Sequence, residues 1–496
     1  MLTSPPQTTT INMMKAIPIR PLRPPPILNP RLYHTGPLNR RYQHVQSYQS
    51  LPEAAIVPPK PSKSTPTSHP KTPLSLLSLT NLLRSYALTT FSTYPTLLTP
   101  SLRLLSILAH SKFPLLNPDH NPLLHFLLKR TFYAQYCAGE TPTEVLTTSS
   151  NLKAMGFKGV ILAYGKEIVL SRNEKLPAAN NLTSESKDTK AEADIEAWKL
   201  STLATVNMTT AGDFIALKFS GAGRSAMTQL ASLSPPSPSI EAATTEICNL
   251  AQARGVRLLF DAEQAAVQRG IDAWALEYQR RYNKNGAVVY GTYQAYLRST
   301  PEVLARHLRV ATEEGFVLGV KLVRGAYMGS DPRHLFWATK GKTDECYDGI
   351  TEAIIQKKWN SFLSRDEGGG FPEVAFVLAT HNHQSVTKAM RFKEEQERRG
   401  SRCEMAYGQL MGMADEVSCE LVLAGRKMKD QAMITESKEI DAMGDAPQAY
   451  KYLVWGSVGE CLKYLVRRAE ENRDAIVRAE GTRIALGREI RRRLWG

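Results

Sequence analysis

At 496 residues the chain can hold one large domain with extensions, or two to three ordinary ones. Apolar, aromatic and charged fractions of 42%, 8% and 22% are those of a globular protein and exclude a wholly disordered or fibrous chain. The net charge of +15 is local: residues 1–110 carry eleven Lys/Arg against one acid, Glu53, which accounts for +10 and removes the support for a nucleic-acid-binding body.

Residues 1–52 contain no acid and six basic residues among many Ser, Thr, Gln and Pro, the composition of a disordered mitochondrial transit peptide. Residues 53–73, rich in Pro, Lys, Ser and Thr, read as a disordered linker. Residues 74–135 are Leu-rich, with apolar residues at helical spacing in Leu74–Arg84 and Leu102–Leu108. Such a helical arm either packs on the domain that follows or lies on a membrane surface, and a thin basic face favours packing. No run of eighteen apolar residues occurs, so no spanning helix is predicted. The six cysteines (137, 248, 346, 403, 419 and 461) show neither CxxC nor zinc spacing, which predicts reduced, buried thiols.

From Gly159 to the C-terminus short aliphatic runs alternate with longer amphipathic segments. The strand candidates are 159–164, 214–219, 256–261, 287–293, 318–324, 374–380, 403–408 and 450–454. Residues 173–211 interrupt them as a polar, solvent-exposed insertion ending in a helix near 191–206. Eight strand–helix units in a row predict an α/β fold, a (βα)8 TIM barrel over 136–496; a doubly wound open sheet is the alternative.

In such a barrel chemistry gathers where strands run out into loops. Most of the predicted strand ends are polar: Lys218, Asp261-Ala-Glu-Gln264, Thr292-Tyr-Gln294, Arg324-Gly-Ala-Tyr327, Thr380-His-Asn382, Gly408-Gln409 and Tyr452. After the last strand, Val458–Asn472 reads as a helix with Val458, Leu462, Leu465 and Ala469 on one side. Tyr464, Arg467 or Arg468, and Glu471 project together on the other. Two adjacent guanidinium groups beside a phenol suit a small planar anion such as a carboxylate.

The blocks Lys321–Tyr327, Ala379–Asn382, Tyr407–Met413 and Tyr464–Asn472, with Leu217–Ser220 and Phe260–Gln264 before them, resemble the proline dehydrogenase family in content and order, across about residues 125–480. The resemblance implies a distorted (βα)8 barrel whose last helix covers the mouth. It also implies FAD-dependent oxidation of L-proline to 1-pyrroline-5-carboxylate, the first step of proline catabolism. Electrons would pass to ubiquinone on the matrix side of the mitochondrial inner membrane, and peripheral association with that membrane is compatible with this.

Carried over by position, Arg467 and Arg468 clamp the substrate carboxylate with Lys218 as a third cation. Tyr452 and Tyr464 wall the pyrrolidine ring, Asp261 holds the pocket in shape, and Glu471 fixes the arginines. The flavin meets Arg324, Gly325, Ala326, Thr380, His381 and Asn382, with Gln409 and Leu410 beside its ring and Lys321 near its reactive part. Three departures from the family pattern involve four positions: Lys321 and Arg324 reverse a common cation order, Thr292 replaces glutamine, and Val454 replaces proline.

A hydride acceptor that no side chain supplies is consistent with this reading, and no GxGxxG follows a strand to suggest a dinucleotide domain. Since a neutral substrate amine favours the transfer, activity is expected to rise with pH. Rival readings are a metal site at His381 and His383, a Schiff base on Lys321, and a non-catalytic scaffold. The bulk of Tyr452 argues for unsubstituted proline over hydroxyproline.

Overall fold

Strand side chains alternate between two faces, and here both faces are apolar, the pattern of parallel strands covered by helices outside and closed on themselves inside. The computed structural model describes residues 72–170, 185–364, 370–434, 445–471 and 476–495. The leader 1–52, the linker up to residue 71 and the first part of the polar stretch (173–184) lie outside the described residues.

Among the described residues nine strands form: β1 (Cys137–Gly139), β2 (Gly159–Tyr164), β3 (Phe214–Leu217), β4 (Arg257–Phe260), β5 (Val289–Gln294), β6 (Leu318–Val323), β7 (Val374–Ala379), β8 (Glu404–Leu410) and β9 (Ala449–Trp455). Strands β2 to β9 pair in parallel in sequence order, and β9 also pairs with β2, closing an eight-stranded barrel. The closure excludes the open-sheet alternative. Strand β1 is the one the sequence concealed, since three residues carry no alternation. It continues the edge of β9 past the last partner of β8, opposite Val454 and Trp455.

Inside the barrel the inward residues stack in layers. At the N-terminal end Arg257 plugs the floor: its guanidinium lies 3.7 Å over Phe214 and donates to the Tyr450 hydroxyl (2.9 Å) and the Gly212 carbonyl (2.6 Å). Ile161, Leu259 and Val377 are among the buried apolar residues of the same inner cluster. Nearer the C-terminal ends the inner positions turn polar, with Thr292, Lys321 and Tyr452 all buried. Outward residues such as Ile215 and Leu258 pack on the helices, each such burial contributing about 1.5–3 kcal/mol.

In the stretch 173–211 the expected helix forms, but it is docked rather than solvent-exposed. Its helix, Glu185–Asn207, is the outer-layer helix following β2, with Ile195, Trp198 and Val206 buried. Trp198 donates to the Lys218 carbonyl at 3.0 Å and sits 5.8 Å from the Phe219 ring. A helix needs only one apolar stripe to dock, and the polar average over the segment hides it.

The arm forms helices Leu79–Thr93, Pro95–His110 and Pro122–Leu128. The first packs against the C-terminal helix Ile476–Trp495, and the second against helix Val458–Glu471. Glu489 clasps the arm's start to that C-terminal helix. It accepts from Thr72 (2.5 Å), Arg492 (2.7 Å) and Arg493 (2.8 Å). Burial works to raise its pKa, but these donors win and hold it at about 2. Among the described residues no helix is long and apolar enough to cross a membrane.

Candidate active site

Thr292 on β5 and Lys321 on β6 are register partners, so both face the barrel axis. Asp261, one residue past β4, receives three groups. Lys321 Nζ lies 2.5 Å from Oδ1; the Tyr452 hydroxyl donates to Oδ2 at 2.8 Å; Lys218 Nζ stands 3.7 Å from Oδ2. Burial would raise the Asp261 carboxyl, yet Lys321, Lys218 and the Tyr452 hydroxyl outweigh it and hold it below the usual carboxylate range. Lys321 is pushed below the ordinary lysine value by burial, then by Lys218 and Arg468, against the pull of Asp261. Burial and the adjacent Asp261 charge keep the Tyr452 phenol protonated.

The helix over this layer, Val458–Glu471, is fixed at its N-terminus. Asp119 accepts from the Gly459 N–H at 2.8 Å and Glu140 from the Val458 N–H at 3.0 Å, placing carboxylates where the helix dipole favours them. A Cβ at Gly459 would stand 2.4 Å from Asp119 Oδ2, so a larger residue there would push that carboxylate off the helix start. Apolar residues predicted for one side, Val458, Leu462 and Leu465, are buried. So is Tyr464 on the other side, which makes this a covered lid rather than a solvated face.

Arg467 and Arg468 point back to the mouth. The Arg467 guanidinium contacts the Glu167 carboxylate and lies 5.4 Å from the Tyr327 ring; that of Arg468 lies 5.4 Å over Tyr464. Lys218 bridges the two levels, 3.4 Å from Glu167 Oε2 and 5.9 Å from the Tyr464 ring. The side chain of Glu471 lies outside the described residues.

Around the ends of β6, β7 and β8 a second polar group forms. Arg324 donates to Thr380 Oγ1 (2.5 Å) and Ser385 (2.9 Å), pairs with Asp344 at 3.0 Å, and stacks 4.2 Å over Tyr347. Gln409 donates to the Thr380 carbonyl at 3.3 Å, the His381 ring accepts from the Leu410 N–H at 3.1 Å, and Asn382 caps helix His383–Arg398. Gly325, at φ +137°, is demanded by Tyr296, whose ring stands 1.9 Å from where a Cβ would lie; Ala326 follows, half-buried.

His383 pairs with Glu420 at 2.8 Å, so the two histidines of the metal reading have separate partners; among the described residues no three His, Cys, Asp or Glu side chains gather as ligands. The ion pair with Asp261 similarly occupies Lys321 where a Schiff-base lysine would need to be free.

Of three further groups, Glu167 escaped the sequence reading, while Tyr327 and Glu263 appeared in it only among the polar strand ends. Glu167, three residues beyond β2, joins Arg467 to Lys218. Burial acts to raise its carboxyl, and Lys218, Arg467 and Arg468 overcome this to lower it. Tyr327 was visible only as part of a block. Glu263 accepts from the Ser220 N–H at 3.0 Å, and burial lifts it to about 7. The signal for Glu167 was the polar exit of the first barrel strand, the one strand end not inspected.

The fold and site define a class: a parallel barrel with a cation-rich mouth under a doubly cationic lid helix. A family model described as proline dehydrogenase matches residues 145–479, more than half of the chain. A probable mitochondrial proline dehydrogenase of Schizosaccharomyces pombe is 27% identical over 420 residues, covering 76% of this chain and 81% of its own. Mitochondrial proline dehydrogenase 1 of Caenorhabditis elegans is 33% identical over 257 residues, 51% of this chain and 37% of its own. The crystal structure of proline utilization A from Bdellovibrio bacteriovorus, inactivated by N-propargylglycine, superposes with a TM-score of 0.56 at 16% identity, covering 82% of this chain and 40% of that one, and so shares the fold. The chain spans most of the fission-yeast relative but only about a third of the nematode one. It belongs to the proline dehydrogenase family, FAD-dependent oxidoreductases that act on proline.

The residues present suit FAD. Thr292 Oγ1 is buried without a hydrogen-bond partner among the described residues, beside Lys321 and facing the axis. Such an atom calls for a polar group of a ligand.

Proposed function

We propose that this chain oxidises L-proline to 1-pyrroline-5-carboxylate in the mitochondrion, on the matrix side of the inner membrane, and passes the electrons to ubiquinone. The acid-free leader and the mitochondrial names of the relatives support the location, and the family supports the acceptor. The observation that carries the substrate is Glu167: the chain's own carboxylate sits between Arg467 and Lys218, where the carboxylate of an amino acid would be held.

In this reading FAD supplies the hydride acceptor for the C5–H bond of proline. The chain does the rest. Arg467, Arg468 and Lys218 take the substrate carboxylate after Glu167 swings aside. Tyr452 and Tyr464 flank the ring and exclude water. The amine must arrive without its extra proton, because C5=N forms as the hydride leaves and the N–H proton is released. Asp261 keeps Lys321, Lys218 and Tyr452 in place, acting as a positioning residue. Lys321 and Thr292 would hold polar atoms of the flavin from below, and Arg324, Thr380, His381, Asn382, Gln409 and Leu410 would line its remaining edge. Glu471 would brace the two arginines.

The direct test is an absorption spectrum of the purified holoprotein under nitrogen before and after L-proline. Loss of the oxidised-flavin bands supports the reading. A colourless protein, or bands unchanged by proline, sinks it. Hydroxyproline in a parallel cuvette should bleach the bands far more slowly, given the bulk of Tyr452.

A further inference from the structure

The first turn of the lid helix is pinned by a stretch far from it in sequence. Each of residues 456–459, where the chain leaves β9 and enters helix Val458–Glu471, is hydrogen-bonded to the segment 119–140. The buried Tyr133 hydroxyl donates to the Gly456 carbonyl at 2.8 Å, and the Gly456 N–H donates to the Gly139 carbonyl at 3.3 Å. Asp119 accepts from Ser457 Oγ at 3.3 Å as well as from the Gly459 N–H, and Glu140 takes the Val458 N–H. These carboxylates meet N–H groups that a helix start leaves without an internal partner.

Glu140 is itself held in place. Lys129 Nζ stands 2.7 Å and His125 Nε2 3.0 Å from its Oε2, which leaves Oε1 for Val458, and its backbone N–H donates to Glu144 at 2.8 Å. Its side chain is only 16% exposed, so water competes weakly for these bonds. His125 lies on helix Pro122–Leu128 and Lys129 directly follows it, so the pin belongs to the arm. The two arginines stand at the other end of the lever. Arg468 is roughly 15 Å along the helix from Val458, and a tilt of about 10° at the pin would carry it roughly 2.6 Å sideways. Such a shift separates a hydrogen-bonded guanidinium from a free one.

We propose that Glu140, with Tyr133 beside it, is a positioning residue for substrate recognition: it pins the hinge of the lid helix and, acting through Arg467 and Arg468, sets the affinity for the substrate carboxylate. At the far end of the helix Arg467 meets Glu167, a partner that gives way to the ligand in the reading above. The near end therefore has to supply the fixed point. A loosened pin lowers the fraction of molecules whose lid is in place, and the apparent affinity falls by that fraction. The inference rests on the reading given above for the identity of the ligand, whereas the pin itself is independent of the reaction.

The experiment is proline-dependent reduction of a soluble dye by the full-chain holoprotein, paired with hydrogen exchange of the proline-free form read by mass spectrometry. In Glu140→Ala the amides of residues 457–466 exchange faster, while those of β4 and β6 keep their wild-type protection. KM for proline rises by about fivefold, the size of effect that losing one capping acceptor produces, with kcat and the flavin-to-protein absorbance ratio within about twofold of wild type. Glu140→Gln, which keeps an oxygen for the Val458 N–H, recovers most of the lost affinity. Tyr133→Phe repeats the loss at a second point of the pin and decides the question if the alanine variant does not fold. A residue that merely stabilised the fold would loosen barrel and lid together. The proposal is overturned if lid exchange rises without a change in KM, if β4 and β6 loosen as much as the lid, or if all the variants match the wild type. A protein inert toward proline would refute the proposed reaction, and the exchange data would still decide whether Glu140 pins the lid.

Discussion

Glu167→Gln tests whether the chain's own carboxylate competes for the clamp. At 3.4 Å from Lys218, with an effective dielectric near 20, the gross attraction is about 5 kcal/mol, and desolvation of two buried charges offsets much of it. Lys218 keeps Asp261 as a partner, so a net loss on the order of 1–2 kcal/mol to the ligand-free protein is expected. A bound carboxylate restores the missing anion, so that loss returns as affinity. An unreactive ring acid, tetrahydrofuran-2-carboxylate, should bind about tenfold tighter to the variant. At the same time the ligand-free Tm should fall by a few degrees. Calorimetric titration at fixed salt, paired with thermal unfolding with and without the acid, reads both quantities. Weaker binding in the variant would mean that Glu167 assists the ligand, and the competition account would be abandoned.

Replacing Arg468 by Met removes a cation proposed to hold the substrate carboxylate and nothing from the floor; KM for proline should rise by about thirtyfold or more with flavin content unchanged, as steady-state kinetics and the flavin-to-protein absorbance ratio would show. Asp261→Ala leaves two buried ammonium groups short of their carboxylate, and unfolding in urea should report a loss of about 3 kcal/mol or more, because breaking a buried pair costs more than the pair contributes. Both Asp261 and Glu489 have folded pKa values below their unfolded ones, so each contributes stability that is complete above about pH 4–5 and is lost as pH falls through the folded value, near 2 for Glu489. Glu489→Gln should accordingly lower Tm at pH 7 and flatten its fall between about pH 4 and pH 2; a parallel curve would show that the clasp carries no charge-dependent stability.

Periodicity along the chain was enough to count eight barrel strands, because each is buried on both faces and bounded by longer amphipathic segments. It was enough, too, to name Lys218, Asp261 and Tyr452 as polar residues at strand ends, whereas Lys321, inside its strand, was singled out only by the family resemblance. What escaped is instructive. Glu167 sits in the loop after β2, where a polar strand exit could flag it as a candidate, but its pairing is set by Arg467 and Lys218, which are distant in sequence. The helix expected near 191–206 forms as Glu185–Asn207, but its burial was missed because its average composition is polar, while docking depends on the few residues of one stripe, Ile195, Trp198 and Val206 among them. Arg324, expected to face the flavin, also has a structural occupation, tying β6 to Thr380, Ser385 and Asp344.

By itself the sequence determined which residue types line up and where strands end, since both follow from a local alternation of polarity. Only the tertiary structure decided which of those charges meet. Ion pairing falls steeply with distance and depends on burial, and neither is set until β9 closes on β2 and the lid helix is carried back over the mouth.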